Sequence, residues 1–180
     1  EGHFLKLMLM FCLKSDVGHR ALAVAILQRT AQAEAKSKVP ARMLSFLSAG
    51  GLVVLSRWLV EAYTMEVQTQ STMQASGGKK KNITTTQSTA SPTGKLLLPL
   101  LQLLASIPFD KELIVASQIN KTIKRLKKIL DKLIQTADPS SLGAFVHPIA
   151  GGLPVVKVRA AIDNVMEVWN QEALINRKRK

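Results

Sequence analysis

Three histidines and one cysteine are the side chains of this sequence that could ligate a metal or act as nucleophiles. His3, His19 and His147 lie far apart, and none belongs to a ligand-spaced pair such as His-x-x-x-His. Cys12 stands in an apolar run without a Cys-x-x-Cys partner, which favours a small buried side chain over a reactive thiol. A single cysteine also excludes an intramolecular disulfide, which fits a reducing compartment.

The glycines and carboxylates show no arrangement typical of an active site. Gly50-Gly51 and Gly77-Gly78 precede no phosphate-binding pattern, and no Glu-x-x-His pair is present. The acidic residues are scattered along the chain. We therefore expect a protein that is not an enzyme and that uses neither a metal nor another cofactor.

Basic residues, in contrast, are abundant and clustered. The net charge is +13, from 25 Lys and Arg against 12 Asp and Glu. Such a balance attracts polyanions, which include nucleic acid, anionic membranes and acidic protein segments. About half of the basic residues lie in Lys79–Lys81, in the stretch Lys121 to Lys132, and in Arg177–Lys180.

The middle cluster lies on a segment with clear helical periodicity, residues 118–134. Apolar residues recur there at spacings of three and four, which predicts one buried helix face. They are Ile119, Ile123, Leu126, Leu130 and Leu133. The opposite face carries Lys121, Lys124, Arg125, Lys128 and Lys132.

The composition predicts that this helix belongs to an all-α domain. The chain has 180 residues, of which 47% are apolar and only 4% aromatic, so Leu, Ile, Val, Ala and Met must build the core. His3 to Lys14 is predicted as a buried first helix, apolar nearly all round. Asp16 or a neighbour then caps an Ala-rich helix over residues 20–36.

Pro40 opens the next unit, because proline is tolerated in the first turn of a helix. A short helix over Ala41–Leu47 should stop at Gly50-Gly51, where glycine permits a left-handed turn. A longer helix should follow. Its predicted core residues are Leu52, Leu55, Leu59 and Ala62.

Two further helices are predicted on either side of the amphipathic one. The first begins at Leu96, carries Pro99 in its first turn and ends before Pro108; Asp110 then caps the next segment. The last runs from about Val156 to Ile175, with Val158, Ile162, Val165 and Trp169 as its apolar stripe. Trp58 and Trp169 are predicted as core residues rather than as a ligand cage.

Two segments are predicted as loops. Residues 65–95 carry few bulky apolar side chains and should form a flexible insert. Residues 136–155 are rich in Pro and Gly and should form a second long loop, with Phe145, Val146 and Ile149 against the core. Residues 177–180 should form a solvated basic tail.

The longest apolar run, Phe4 to Leu13, is about half the ~20 residues that span a bilayer, so we expect no membrane association.

Several of these segments resemble one known family. LLPLLQLLASIP followed by KELIVASQINKTIKRLKK is similar to the signature of the TFIIS N-terminal domain, also called the TND or LW domain. In that family a helix ends in Leu-Pro or Ile-Pro, and a short helix leads to Ser/Thr-x-Ile-Gly-Lys-x-Val-x-x-Leu-Arg-Lys, which Ser117 to Lys128 resembles. Val168-Trp169 matches the family's final tryptophan, and LSFLSAGGLVVLSRWL, with Trp58, is similar to its leading repeat. The resemblance covers about residues 20–175, less the two loops.

This chain departs from the family pattern at Asn120, where the family has Gly, and in both loops, which are longer than usual. Among family members the chain is most similar in style to Iws-type elongation factors and to the phosphatase-targeting subunit PNUTS, some of which carry extra leading helices. The integrase-binding domain of LEDGF has a related topology.

The resemblance implies a compact right-handed helical bundle with extra N-terminal helices and two long loops, formed by residues 1–176 as a single domain. It also implies a nuclear, monomeric module that binds short, disordered, acidic and Phe-containing motifs of transcription elongation, Mediator or chromatin factors. Basic side chains would steer such a ligand, and apolar side chains at a helix end would form its pocket. The candidate partner-binding residues are Lys121, Lys124, Lys127, Lys128, Lys132, Leu133 and Ile134.

Two other functions stay open. The positive charge permits direct nucleic-acid binding, at least as a weak contact, although few aromatics are present to stack bases. Phe46–Leu59 also reads like one armadillo or HEAT repeat, although no fixed period recurs along the chain.

Overall fold

The computed structural model describes residues 16–35, 40–74, 94–108, 110–137, 143, 145–150 and 152–178. At 64–74, 94, 148 and 176–178 only the backbone is described. The predicted first helix from His3 to Lys14, the Lys79–Lys81 cluster and most of the predicted 65–95 insert lie outside the described residues.

The chain folds as an all-α helical bundle, which confirms the predicted fold class. The described residues contain α1 Val17–Glu34, α2 Ala41–Ser48, α3 Gly51–Gln74, α4 Leu97–Ser106, α5 Lys111–Ala116, α6 Ile119–Thr136 and α7 Val155–Lys178. Short 3₁₀ turns lie at Gly94–Leu96 and Pro148–Ala150. Within this part of the chain there is no strand, only an isolated antiparallel bridge between Val146 and Pro154.

Helix α4 lies at the centre of the bundle. It contacts α1, α3 and α7, so partners pack against it from several directions. The helix is accordingly apolar over most of its circumference, and only Gln102 and Ser106 within it are exposed. Full burial of each leucine contributes roughly 1.5–3 kcal/mol. The leucines of α4 with no exposed surface are Leu97, Leu100, Leu101, Leu103 and Leu104.

Capping side chains set two helix starts at the predicted residues. The Asp16 carboxylate accepts a hydrogen bond from the His19 backbone N–H at 2.9 Å, and the Asp110 carboxylate accepts one from the Leu113 N–H at 3.0 Å. Each bond satisfies a backbone donor that has no partner within the first helical turn. Both predicted caps are therefore confirmed.

Two adjacent glycines separate α2 from α3, as predicted. Gly50 has φ +93°, a left-handed conformation that costs a residue with a Cβ about 1–2 kcal/mol. Gly51 serves a different purpose, because it lies directly against the buried ring of Phe46. A Cβ at position 51 would stand 2.5 Å from Phe46 Cζ and 2.6 Å from Cδ1, which is inside van der Waals contact.

Two helices are longer than the sequence predicted. α3 continues to Gln74, so the insert does not begin at residue 65. Residues 66–74 contain no Gly or Pro that would end the helix. α7 ends at Lys178 rather than near Ile175, so the first two residues of the predicted basic tail are helical.

The predicted loop over residues 136–155 corresponds to the connection between Thr136, the last residue of α6, and Val155, the first of α7. Phe145 and Ile149 pack against the core from this connection, as expected. Val146 does not, because its side chain is 49% exposed.

Within the described residues, no single helix is both long and apolar enough to cross a membrane. The segments Ala41–Ser48 and Gly51–Tyr63 meet that test of length and composition only as a pair, and they are bent by 71°.

The contact between Gly51 and Phe46 yields a stability prediction. Gly51→Ala should lower the free energy of unfolding by about 1–3 kcal/mol, because the added methyl group overpacks a ring that is only 2% exposed. Urea denaturation followed by circular dichroism measures this change.

Phe46→Leu supplies the control, because it removes the ring that the methyl group meets. The substitution itself costs stability, but Gly51→Ala should cost markedly less in the Phe46→Leu background than in the wild-type chain. Equal costs in the two backgrounds would show that the Phe46 ring is not the obstacle.

Candidate partner-binding surface

Helix α6 separates apolar from basic side chains, as its periodicity predicts. Ile119, Ile123, Leu126 and Leu130 are buried in the core. On the other side of the helix the basic side chains are exposed, namely Lys121, Lys124, Arg125, Lys128 and Lys132. The predicted orientation of the helix is therefore confirmed.

Four exposed lysines form what we call the lysine row, which consists of Lys121, Lys124, Lys128 and Lys132. At 1.5 Å per residue the row is about 16 Å long. No Asp or Glu side chain in the described part of the chain forms an ion pair with any of them. Like charges four residues apart on a helix repel by about 0.2–0.5 kcal/mol per pair, so the row carries a small stability cost.

Lys127, also predicted as a partner-binding residue, has a different environment. Its Nζ atom lies 2.9 Å from Asp163 Oδ1 on α7, and its side chain is 30% exposed. Arg159 of α7 donates to both Asp163 and Asp131. We call these four residues the charged seam. The later residue on α6, Asp131, pairs with the earlier residue on α7, Arg159, whereas the earlier Lys127 pairs with the later Asp163. The two helices α6 and α7 therefore run in opposite directions.

The charged seam shifts the pKa of two of its members. Partial burial by itself would raise the pKa of Asp163, but hydrogen bonds from Lys127 and Arg159 outweigh it and lower that pKa below the ordinary 3.8. For Arg159, burial by itself would lower the pKa, but hydrogen bonds to Asp131 and Asp163 raise it above its ordinary value. Both shifts favour the charged forms that hold α6 against α7.

Further along the same two helices a cavity of about 220 Å³ opens between α5, α6 and α7. We call it the Trp169 cavity. Its apolar lining includes the buried side chains of Ile114, Ile123 and Trp169, with Met166 and Ala173 partly exposed beside them. The remaining lining residues are Lys111, Val115, Asn120, Lys124 and Asn170.

A tight turn places α5 beside this cavity. Gln118 has φ 56°, the only positive value among the described residues other than glycine. Its N–H donates to the Val115 carbonyl at 3.1 Å, and its own carbonyl accepts from the Lys121 N–H at 3.0 Å. The Ser117 hydroxyl also donates to the Ile114 carbonyl at 3.1 Å. These bonds hold the short α5 at an angle to α6 instead of letting one helix continue.

The structure does not bring all the predicted site residues together. Lys124 is both in the lysine row and on the cavity rim, whereas Leu133 and Ile134 do not line the cavity. They lie roughly 14 Å further along α6, at 1.5 Å per residue, and are partly buried against the core. A partner contact at Leu133 and Ile134 therefore stays a prediction.

Several cavity residues were missed from the sequence. Lys111, Val115 and Ala173 carry no motif, and Trp169 was predicted simply as a core residue, which its 6% exposure confirms. A signal was present on α7, where Met166, Trp169, Asn170 and Ala173 share one face at helical spacing. The position of α5 over that face depends on the turn at Gln118, which periodicity does not predict.

Trp58, the other tryptophan predicted to be in the core, is 3% exposed and thus also confirmed. The Arg20 guanidinium lies 5.6 Å from the centre of its ring and 2.5 Å from the Glu61 carboxylate.

In the part of the chain that is described, no group of three His, Cys, Asp or Glu side chains is placed to hold a metal ion.

Comparison of the chain with protein-family models, with curated proteins and with solved structures finds no match in any of the three. The resemblance to the TFIIS N-terminal domain thus rests on the sequence motifs and stays a prediction.

The charged seam should make stability depend on pH in the acid range. The pKa of Asp163 is lower in the folded state than its ordinary value of 3.8. The stabilisation that the charged carboxylate gives the folded state is therefore fully present above pH 3.8 and is lost as pH falls through the folded pKa. Asp163→Asn should therefore be less stable than wild type at pH 7, and the difference should vanish toward about pH 2. With the side chain 50% exposed, we expect a difference of no more than about 1 kcal/mol.

Urea denaturation across the acid range measures this difference, with Glu172→Gln as the matched control. Glu172 is an exposed carboxylate on the same helix, outside the charged seam. Its substitution should leave stability nearly unchanged at every pH. A wild-type advantage over Asp163→Asn that persists at about pH 2 would contradict the assignment to the Asp163 charge.

Proposed function

We propose that this chain is a nuclear protein–protein interaction module that binds short, disordered, acidic and Phe-containing segments of transcription elongation or chromatin factors. The observation that carries the proposal is the lysine row. Its charges are exposed and without acidic partners in the described part of the chain, so an acidic segment laid along α6 would neutralise them. The resemblance to the TFIIS N-terminal domain supplies the nuclear context.

Two observations favour a protein partner over nucleic acid. First, the aromatic side chains that the structure describes are buried or half-buried, so none is open on the surface to stack on bases. Second, Lys124 of the row stands on the rim of a cavity with an apolar wall, which an apolar side chain of a peptide would fill and a phosphate backbone would not.

Charge reversal within the lysine row tests the proposal. Lys124→Glu with Lys128→Glu should leave the free energy of unfolding within about 0.5 kcal/mol, because both side chains are exposed. Affinity for a labelled synthetic peptide of Asp, Glu and Ser residues with one central Phe, here the Phe peptide, should fall roughly tenfold at low salt. The loss should come mainly from slower association and should shrink as salt rises. Stopped-flow fluorescence measures the association rate.

The double substitution Arg29→Glu with Arg42→Glu is the matched control. Both arginines are exposed, on α1 and α2, and their reversal changes the net charge by the same amount. It should leave Phe-peptide binding nearly unchanged. An equal loss in the control would mean that net charge alone governs binding. If reversal in the lysine row abolishes binding of a mixed-sequence DNA duplex and leaves peptide binding intact, the row binds nucleic acid and the proposal is wrong.

A further inference from the structure

The Trp169 cavity is an opening through which the apolar core reaches the surface. Trp169 is 6% exposed, Ile114 5% and Ile123 1%, yet all three line the cavity. At about 220 Å³ the cavity exceeds the roughly 150 Å³ of an engineered protein cavity that binds benzene. One aromatic or large aliphatic side chain therefore fits within it.

The cavity wall is fixed before any ligand arrives. The Trp169 indole N–H donates to the Leu104 carbonyl at 3.2 Å, which ties the ring to the central helix α4. Because that bond uses the only polar atom of the side chain, Trp169 offers the cavity carbon surface alone. A preformed apolar wall selects an apolar group and avoids the ordering cost of building a pocket on binding.

The polar rim of the cavity is basic and carries no carboxylate. Lys111 of α5 and Lys124 of α6 are exposed rim residues, and the two other polar lining residues are Asn120 and Asn170. The Asn120 Oδ1 atom accepts from the Lys121 N–H at 2.8 Å. A ligand with carboxylates beside its apolar group would match this rim.

We infer that the Trp169 cavity is the anchoring pocket of the module. It takes one Phe or similarly large apolar side chain from an acidic, disordered segment of a partner protein. Carboxylates that flank this side chain pair with Lys111 and Lys124, and the segment continues along the lysine row. The inference rests on the proposed function. It places the pocket for the partner's apolar side chain at the start of α6 and the end of α7, rather than at Leu133 and Ile134.

The test compares the Phe peptide with the same peptide carrying Ala at the central position, here the Ala peptide. Fluorescence anisotropy with wild-type chain should give at least about tenfold tighter binding of the Phe peptide, as burial of an anchor side chain predicts. Ala173→Met adds a flexible side chain at the cavity edge, where Ala173 is partly exposed. In this variant the ratio of the two affinities should fall to near one, and the Ala peptide should bind as it does to wild type.

Ala160→Met is the matched control, because Ala160 is exposed on the same helix and roughly 20 Å away along it, at 1.5 Å per residue. It should leave the ratio unchanged. Thermal melting checks the fold of both variants. If Ala173→Met does not fold, Val115→Glu tests the cavity instead, since Val115 is 56% exposed on the rim. Val115→Glu should weaken Phe-peptide binding about tenfold. Its control is Val53→Glu, at 57% exposure on α3, which should not weaken binding.

The possible failures are distinguishable. If wild-type chain binds neither peptide, the proposed function fails and the anchoring pocket fails with it. If both peptides bind equally well, or if the ratio survives in Ala173→Met, the proposed function stands and the assignment of the cavity is wrong. A concentration-dependent dimer in sedimentation that Ala173→Met abolishes would assign the cavity to a second copy of the chain and would also overturn the inference.

Discussion

The burial of five leucines of α4 constrains the rest of the bundle. Because these leucines have no exposed surface, each neighbouring helix must present an apolar stripe to them, and α1, α3 and α7 do so. The hydrogen bond from the Trp169 indole to the Leu104 carbonyl extends this constraint to the second half of α7. Both the ring that lines the cavity and the helix that carries it are therefore held by the core rather than by surface contacts.

The apolar faces of α6 and α7 pack into the core. On their outward faces, the charged side chains differ mainly in whether they have oppositely charged partners. Lys127 belongs to the charged seam, where exposed pairs are each worth only about 0–1 kcal/mol. The lysine row receives no such compensation within the described residues, and its members repel one another. An acidic ligand would relieve that repulsion, which is a physical reason to distinguish the row from an ordinary solvated helix face.

Local features of the fold were predictable from the sequence, and features that depend on distant residues were not. The burial of Ile119 and Ile123, the caps at Asp16 and Asp110, and the break at Gly50-Gly51 all follow from neighbours within one or two turns. The pairing of Lys127 with Asp163 joins residues far apart in sequence, and the left-handed Gln118 is a residue type with no strong preference for that conformation. The candidate site depends on both of these features, so the sequence identified the lysine row but not the cavity or its rim residue Lys111.

The antiparallel contact between α6 and α7 explains why the cavity lies where it does. One half of the contact is closed by the charged seam, in which long side chains reach across and pair. In the other half no ion pair bridges the two described helices, and α7 presents Ala173, which is too short to reach across. The six-residue α5 lies over this half but is too short to cover it fully, so Val115 remains exposed at the edge. A side chain supplied by a partner would complete the packing that Ala173 leaves open, next to the end of the lysine row where an acidic segment would already be held.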